Sequence, residues 1–247
     1  MRTSYFSINR DYEIKCKMFL PNHQNMKGVI IGVHGFAGDK DSSMLEQLAQ
    51  TVCLAETGLV CFDFPAHGES PVGEDMLTIE NCKKDFLAVL TYVNSLYSNV
   101  YISILATSFG GYITLLCADQ LKNYPLVLRA PAVTMPKVLL ENVLEISAEE
   151  FQRAGTVTCG FERSISLPYS FYKDLVTQEN IMEKNIRQRT LILHGDCDDI
   201  VPLSDILAFA GMRENVEVEI IHGADHRFKK EGEIEQLIQS IKKFLNI

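Results

Sequence analysis

Short apolar runs of strand length alternate with longer amphipathic runs along almost the whole chain. That rhythm predicts an α/β protein with a mostly parallel central sheet and helices on both faces. The predicted strands are 12–19, 29–33, 59–64, 100–105, 126–129, 190–194 and 216–221. Most are apolar throughout, as strands covered on both faces must be. The helical period shows at Ile79, Cys82, Phe86, Val89, Leu90, Val93 and Leu96, and again at Ile234, Leu237, Ile238, Ile241 and Leu245. Apolar residues at spacings of three and four form one stripe, which packs on a sheet.

The rhythm breaks between residues 132 and 185. Pro136, Gly155, Gly160 and Pro168 punctuate that stretch, and a helical patch spans 138–150. The chain is therefore read as a single domain, 1–247, carrying an inserted lid at about 132–185. The insertion holds Phe151, Phe161, Tyr169, Phe171 and Tyr172. Two readings of these rings stay open: walls of an acyl or aryl pocket, or the insertion's own hydrophobic core.

The formal charge of −9 argues against non-specific binding to nucleic acid or to an anionic membrane. The seven cysteines are odd in number, widely spaced and without a C-x-x-C pair, which reads as buried thiols in a reducing compartment. Cys197 is the exception, since it sits among candidate acids. The first ten residues lack the apolar core of a secretory signal, and no apolar run is long enough to span a bilayer. The expectation is a soluble cytoplasmic protein with a small-molecule partner. Neither nucleic acid nor membrane is expected as a partner, and a homodimer is left open.

Four segments carry chemistry. Val100–Leu105 runs into Ala106-Thr107-Ser108-Phe109-Gly110-Gly111, a strand followed by a small-residue turn with a serine at its tip and a helix at 112–121. Such a turn lifts the hydroxyl clear of its neighbours. The same turn could merely pack a helix on a strand. A serine hydroxyl needs a base, and the base needs an orienting group. Gly195-Asp196-Cys197-Asp198-Asp199-Ile200-Val201-Pro202 follows a strand and offers three aspartates. Asp198 has the G-x-x-D-x-x-V-P spacing and is taken as the acid, with Asp196 and Asp199 as turn formers. His222-Gly223-Ala224-Asp225-His226 follows the last strand. His226 lies out on the loop and is taken as the base, and His222 as structural. Finally, His34-Gly35-Phe36 ends an early strand. The Phe36 and Phe109 amides are candidate oxyanion donors, with His34 bracing the loop. Asp63 and His67 could suggest a metal pair, but no further ligands accompany them, so no metal and no cofactor are expected.

With HGF at 34–36, DFPAHGES at 63–70, SFGG at 108–111, HGDCDDIVP at 194–202 and GADH at 223–226, the chain resembles the α/β-hydrolase superfamily over nearly its whole length. Within it, the chain is similar to small bacterial carboxylesterases of the cinnamoyl and feruloyl esterase type. The resemblance implies an α/β-hydrolase fold with an inserted lid. It puts nucleophile, acid and base on Ser108, Asp198 and His226, and the oxyanion donors on Phe36 and Phe109. It departs from the superfamily's G-x-S-x-G at Ala106, a residue small enough for the turn. The activity implied is ester hydrolysis through an acyl-enzyme, on aryl or hydroxycinnamoyl esters. Thioesterase, short-chain lipase and serine aminopeptidase activities use the same triad, and a non-catalytic ligand receptor on this fold is the rival of another class.

Overall fold

A computed structural model describes residues 1–22, 25–160 and 163–247. The elements in chain order are β1 (Arg2–Asn9), β2 (Glu13–Leu20), β3 (Gly28–Val33), α1 (Ser43–Leu54), β4 (Thr57–Phe62), α2 (Ile79–Leu96), β5 (Tyr101–Thr107), α3 (Phe109–Leu116) and β6 (Leu126–Arg129). Then come α4 (Met135–Val138), α5 (Ala148–Ala154), β7 (Thr156–Cys159), β8 (Ile165–Pro168), α6 (Tyr169–Val176), β9 (Thr190–Gly195), α7 (Leu203–Gly211), β10 (Val216–Ile221) and α8 (Glu233–Leu245).

Eight strands form one sheet in the order β1-β2-β4-β3-β5-β6-β9-β10. The pairs from β4 to β10 are parallel, and β1 and β2 are antiparallel additions at one edge. Alternation along each strand feeds two cores. Val29, Ile31 and Val33 of β3 pack toward the α2 and α3 side, while Ile30 packs toward the α1 and α8 side. Every residue of β3, β4 and β9 is buried, which is why those strands read as unbroken apolar runs.

All seven predicted strands are present, with ends moved by no more than two residues. Four features depart from the sequence reading, one of them the unexpected β7–β8 hairpin. Strand β1 was not expected. It lies at the sheet edge, six of its eight residues are exposed, and it shows no buried face to read. The helix after Ser108 begins earlier than predicted, at Phe109, and ends at Leu116, with a 3₁₀ turn over Ala118–Gln120. In place of one helical patch at 138–150, α4 runs into a π-helical stretch at Leu139–Leu144, which ends at the left-handed Glu145. Helix α5 then starts from a capping box of Ser147 and Glu150.

The inserted segment joins β6 to β9 and contains α4, the π turn, α5, the β7–β8 hairpin and α6. Among the described residues no helix is long and apolar enough to cross a membrane. The described cysteines are free thiols, five of them buried and Cys197 exposed.

Candidate active site

Strand β5 delivers Ser108 to the C-terminal edge of the sheet, where open α/β sheets place their ligands. Ser108 holds φ 49° and ψ −113°, a left-handed conformation rare for a residue with a Cβ. Strain of this kind persists only where its surroundings dictate it. Here the Ser108 N–H donates to the Arg129 carbonyl at 2.9 Å, and the Ser108 carbonyl accepts from the amides of Tyr112 and Ala132 at 3.1 Å each. Gly110 lets α3 close against β3, because a Cβ there would lie 2.4 Å from the His34 carbonyl oxygen.

The structure brings the three distant loops together. His226 Nε2 lies 3.1 Å from Ser108 Oγ, and His226 Nδ1 lies 2.8 Å from Asp198 Oδ2. With Nδ1–H donating to the carboxylate, Nε2 is free to accept the serine proton. The other Asp198 oxygen accepts from the amides of Ile200 at 2.9 Å and Val201 at 2.7 Å. Burial alone would raise the Asp198 pKa. The His226 and Val201 hydrogen bonds and the nearby imidazoles outweigh it and hold the pKa below the usual value. The loops that carry Asp198 and His226 are packed face to face. A Cβ on Gly195 would lie 2.2 Å from the Ala224 carbonyl oxygen, and the Cys197 amide donates to that same oxygen at 3.0 Å.

The neighbouring aspartates and histidines also have their places. Asp196 accepts from His222 Nδ1 at 2.8 Å and from the Gly223 amide. This second Asp–His pair faces solvent, with the His222 side chain 85% exposed. Asp225 accepts from the amides of Arg227 and Phe228 and so shapes the loop that carries His226. His194 ends β9 fully buried. It donates through Nε2 to the Val201 carbonyl and lies 3.5 Å from the Asp198 carboxylate.

The turn over Gly35–Gly38 closes through a Gly38 N–H to Gly35 carbonyl bond. Gly35 abuts Ser108: a Cβ on it would sit 3.3 Å from Ser108 Cβ. Two buried histidines brace this turn. His34 Nε2 accepts from the Phe64 amide at 3.1 Å, so the proton is on Nδ1, which donates to the Gly35 carbonyl at 2.8 Å. His67 repeats the pattern: Nε2 accepts from the Ala37 amide at 3.0 Å and Nδ1 donates to the Pro65 carbonyl at 2.7 Å. Burial pushes their pKa values down, to about 4 for His34 and about 3 for His67. Asp63, the other half of the suggested metal pair, accepts instead from the amides of Lys40 and Glu69. The buried Lys40 ammonium joins Asp63, Asp41 and Glu69. No cluster of three or more metal-ligating side chains occurs among the described residues. The strut role of His67 was missed in the sequence, although it too follows a strand end in a small-residue loop, as His34 does.

The Phe36 amide belongs to this turn, and the Phe109 amide is in the first turn of α3, where a helix leaves its N–H groups unpaired. Neither donates to another backbone group among the described residues. Their rings touch edge to face at 5.9 Å, and Phe171 of the insertion packs on both, at 6.1 and 6.0 Å.

A cavity of about 630 Å³ opens over Ser108 and His226. From the insertion it is lined by Met135, Val138, Val143, Gly160 and Arg163. Of the five aromatic residues left open above, Phe161 lies outside the described residues. The other four do not line the cavity. Phe151, Tyr169 and Tyr172 stack on one another within the insertion, as the core reading has it, whereas Phe171 packs on Phe36 and Phe109 outside it.

Strand order, a serine at a strained strand–helix turn, and acid and base loops at the ends of later strands together define an α/β hydrolase. Residues 24–158 match the profile of the serine aminopeptidase S33 family, and the chain belongs to that family. Its structure is similar to that of Est1E from Butyrivibrio proteoclasticus with ferulic acid bound, with a TM-score of 0.86, 21% identity and 97% of each chain covered. A hydrolase from Agrobacterium vitis S4, described as putative, gives 0.79 at 20% identity over 98% of each chain. The mouse alpha/beta hydrolase domain-containing protein 10 gives 0.73 at 20% identity, again over 98% of each chain. A sequence comparison with curated proteins gave no match.

Proposed function

We propose that the protein hydrolyses carboxylic esters by two-step acyl transfer. The observation that carries this reading is the unbroken hydrogen-bond chain Ser108–His226–Asp198 beneath an open cavity. Ser108 Oγ attacks the ester carbonyl carbon as His226 Nε2 takes its proton. Asp198 holds the imidazole in the needed tautomer and stabilises its charged form. The Phe36 and Phe109 amides hold the oxyanion, a donor of this kind being worth about 2.7–4 kcal/mol in the transition state. When the tetrahedral adduct collapses, His226 protonates the departing alcohol. Water then attacks the acyl-serine with His226 as base, releasing the acid and restoring the hydroxyl. Residues 132–185 serve as a lid, walling the cavity and clasping the acid loop through the Asn142 side chain and the Ile200 carbonyl at 2.7 Å.

The ferulic acid complex of Est1E favours an aryl or hydroxycinnamoyl acyl group. The aminopeptidase name of the family raises amide hydrolysis as a second activity. The cavity speaks against that substrate. A free α-amine needs a carboxylate, and Asp39 is the only acidic residue among the described lining residues, against four basic ones. The free thiols fit a reducing, cytoplasmic setting.

A fluorophosphonate probe should label Ser108. Ser108→Ala should lose labelling together with turnover of 4-nitrophenyl acetate and butyrate. Turnover that survives in pure Ser108→Ala protein overturns the mechanism.

A further inference from the structure

The chain carries a net charge of −9, yet its cavity is basic. Arg129, Arg163, Arg227 and Lys229 line it, with Asp39 the one carboxylate among the described lining residues. Arg163 is committed in part to the Gly68 carbonyl, at 2.7 Å. Arg129 is different. It ends β6 beside Thr107, and its carbonyl holds the Ser108 amide, so its position is tied to the nucleophile. Its Nε is buried and has no hydrogen-bond partner among the described residues. Its guanidinium carbon lies 5.5 Å from the Phe228 ring centroid. Asp198 and Asp225 act on it only through space.

A half-buried cation whose shut-off Nε lacks a hydrogen bond is poorly matched unless something else answers its charge. Burial pulls the Arg129 pKa down to about 10, with Asp198 and Asp225 opposing, so the group stays charged at neutral pH. The residue is half-buried, and the cavity it lines is where a ligand would meet it. The N-terminal end of α1 borders the same cavity. Ser42 caps that helix without a side-chain hydrogen bond, and the unpaired first-turn amides add further positive potential. A planar guanidinium suits a carboxylate, to which it can offer two parallel N–H groups.

We propose that Arg129 selects the substrate, an ester that carries a free carboxylate, and that this carboxylate is held in the cavity by Arg129 beside the α1 N-terminus. The inference rests on the esterase reading given above. It places the anion on neither side of the ester bond, so the test addresses both sides.

The experiment measures kcat/KM on two matched pairs. Mono-4-nitrophenyl glutarate against 4-nitrophenyl butyrate places the carboxylate on the acyl side. 4-Acetoxybenzoate against 4-acetoxybenzamide places it on the alcohol side. The acidic member of at least one pair should be favoured by about tenfold after correction for intrinsic reactivity. That preference should shrink as NaCl rises from about 0.05 to 0.5 M, because screening weakens the attraction. Arg129→Gln should abolish the preference, and Arg129→Lys should restore part of it. Circular dichroism and fluorophosphonate labelling report whether each variant keeps its fold and its reactive serine. If Arg129→Gln does not fold, the wild-type preference and its salt dependence decide alone. Brisk hydrolysis of the neutral esters with no acidic preference in either pair overturns this inference and leaves the esterase reading standing. No turnover of any of the four, with no labelling of Ser108, overturns the esterase reading itself.

Discussion

Acid should loosen this protein between pH 6.5 and pH 5, and the cause lies in the two struts of the Gly35–Gly38 turn. His34 and His67 are buried, and each accepts a backbone N–H through Nε2 while donating from Nδ1. A protonated ring could not accept that bond. Their pKa values fall from 6.5 to about 4 and about 3, chiefly through burial, and for His67 next through the neighbouring His34. Because the folded values lie below the unfolded one, the unfolded chain binds protons first as pH falls. The stability present above pH 6.5 is therefore lost as pH drops toward 4. From pH 6.5 to pH 5 the loss is about 2 kcal/mol for each ring, at about 1.36 kcal/mol per pH unit. The His194 pKa is also lowered by burial, which adds to the loss. Asp85 works the other way. Its pKa is raised to about 6 by burial, against hydrogen bonds from Tyr12 and Arg10. Its protonation in the folded state returns about 1 kcal/mol at pH 5. The histidines win, with a net loss of about 3 kcal/mol, a large share of the roughly 5–15 kcal/mol usual for a folded domain. Urea unfolding followed by far-ultraviolet circular dichroism at pH 7.5 and pH 5 measures it. His67→Gln should lower stability at both pH values but remove about 2 kcal/mol of the difference between them. Equal wild-type stability at the two pH values, or an undiminished difference in His67→Gln, would refute the reasoning.

The remaining expectations are more local. Asp198→Asn keeps an oxygen for the Ile200 and Val201 amides but no longer favours the productive tautomer of His226, so kcat should fall by about 10⁴ with little change in melting temperature. Gly110→Ala drives a methyl group into the His34 carbonyl and should cost about 1–3 kcal/mol or more, read as a lower urea midpoint and weaker Ser108 labelling. Asn142→Ala removes the clasp between insertion and acid loop. It should cost about 1 kcal/mol, with hydrogen exchange rising in 139–144 and 198–201.

The parallel strands were legible because burial on both faces leaves an unmistakable apolar run, as in Val29–Val33 and Leu59–Phe62. The residues that meet at the centre were legible because each follows a strand in a small-residue loop. Edge strand β1 was not, since an exposed ribbon such as Ser4-Tyr5-Phe6-Ser7 needs no apolar face. The β7–β8 hairpin is only four residues on each side and half exposed, too short for a period to register. The π turn at Leu139–Leu144 keeps a helical composition while changing its hydrogen bonding, which composition does not encode. Arg129 went unnoticed because a charged residue at a strand end ordinarily reaches solvent. Here it is half-buried and lies 5.5 Å from the ring of Phe228, ninety-nine positions later.

The chain's histidines show how surroundings, rather than residue type, assign the work. His34 and His67 sit in nearly the same bonding pattern and are depressed so far that they stay neutral and rigid at working pH. His194 is buried against the acid, its Nε2–H on the Val201 carbonyl and its Nδ1 without a partner among the described residues, so it cannot shuttle a proton to substrate. His222 has an aspartate at 2.8 Å, as His226 does, yet it stands in solvent with no serine bonded to it among the described residues. Among the described histidines, His226 alone joins three conditions: a carboxylate on Nδ1, a hydroxyl on Nε2, and a cavity at the ring's edge. An Asp–His contact therefore identifies neither a base nor an active site. Here the distinction comes from the strained turn at residue 108, which brings a hydroxyl within hydrogen-bond reach of the His226 imidazole, while no serine is bonded to His222 among the described residues.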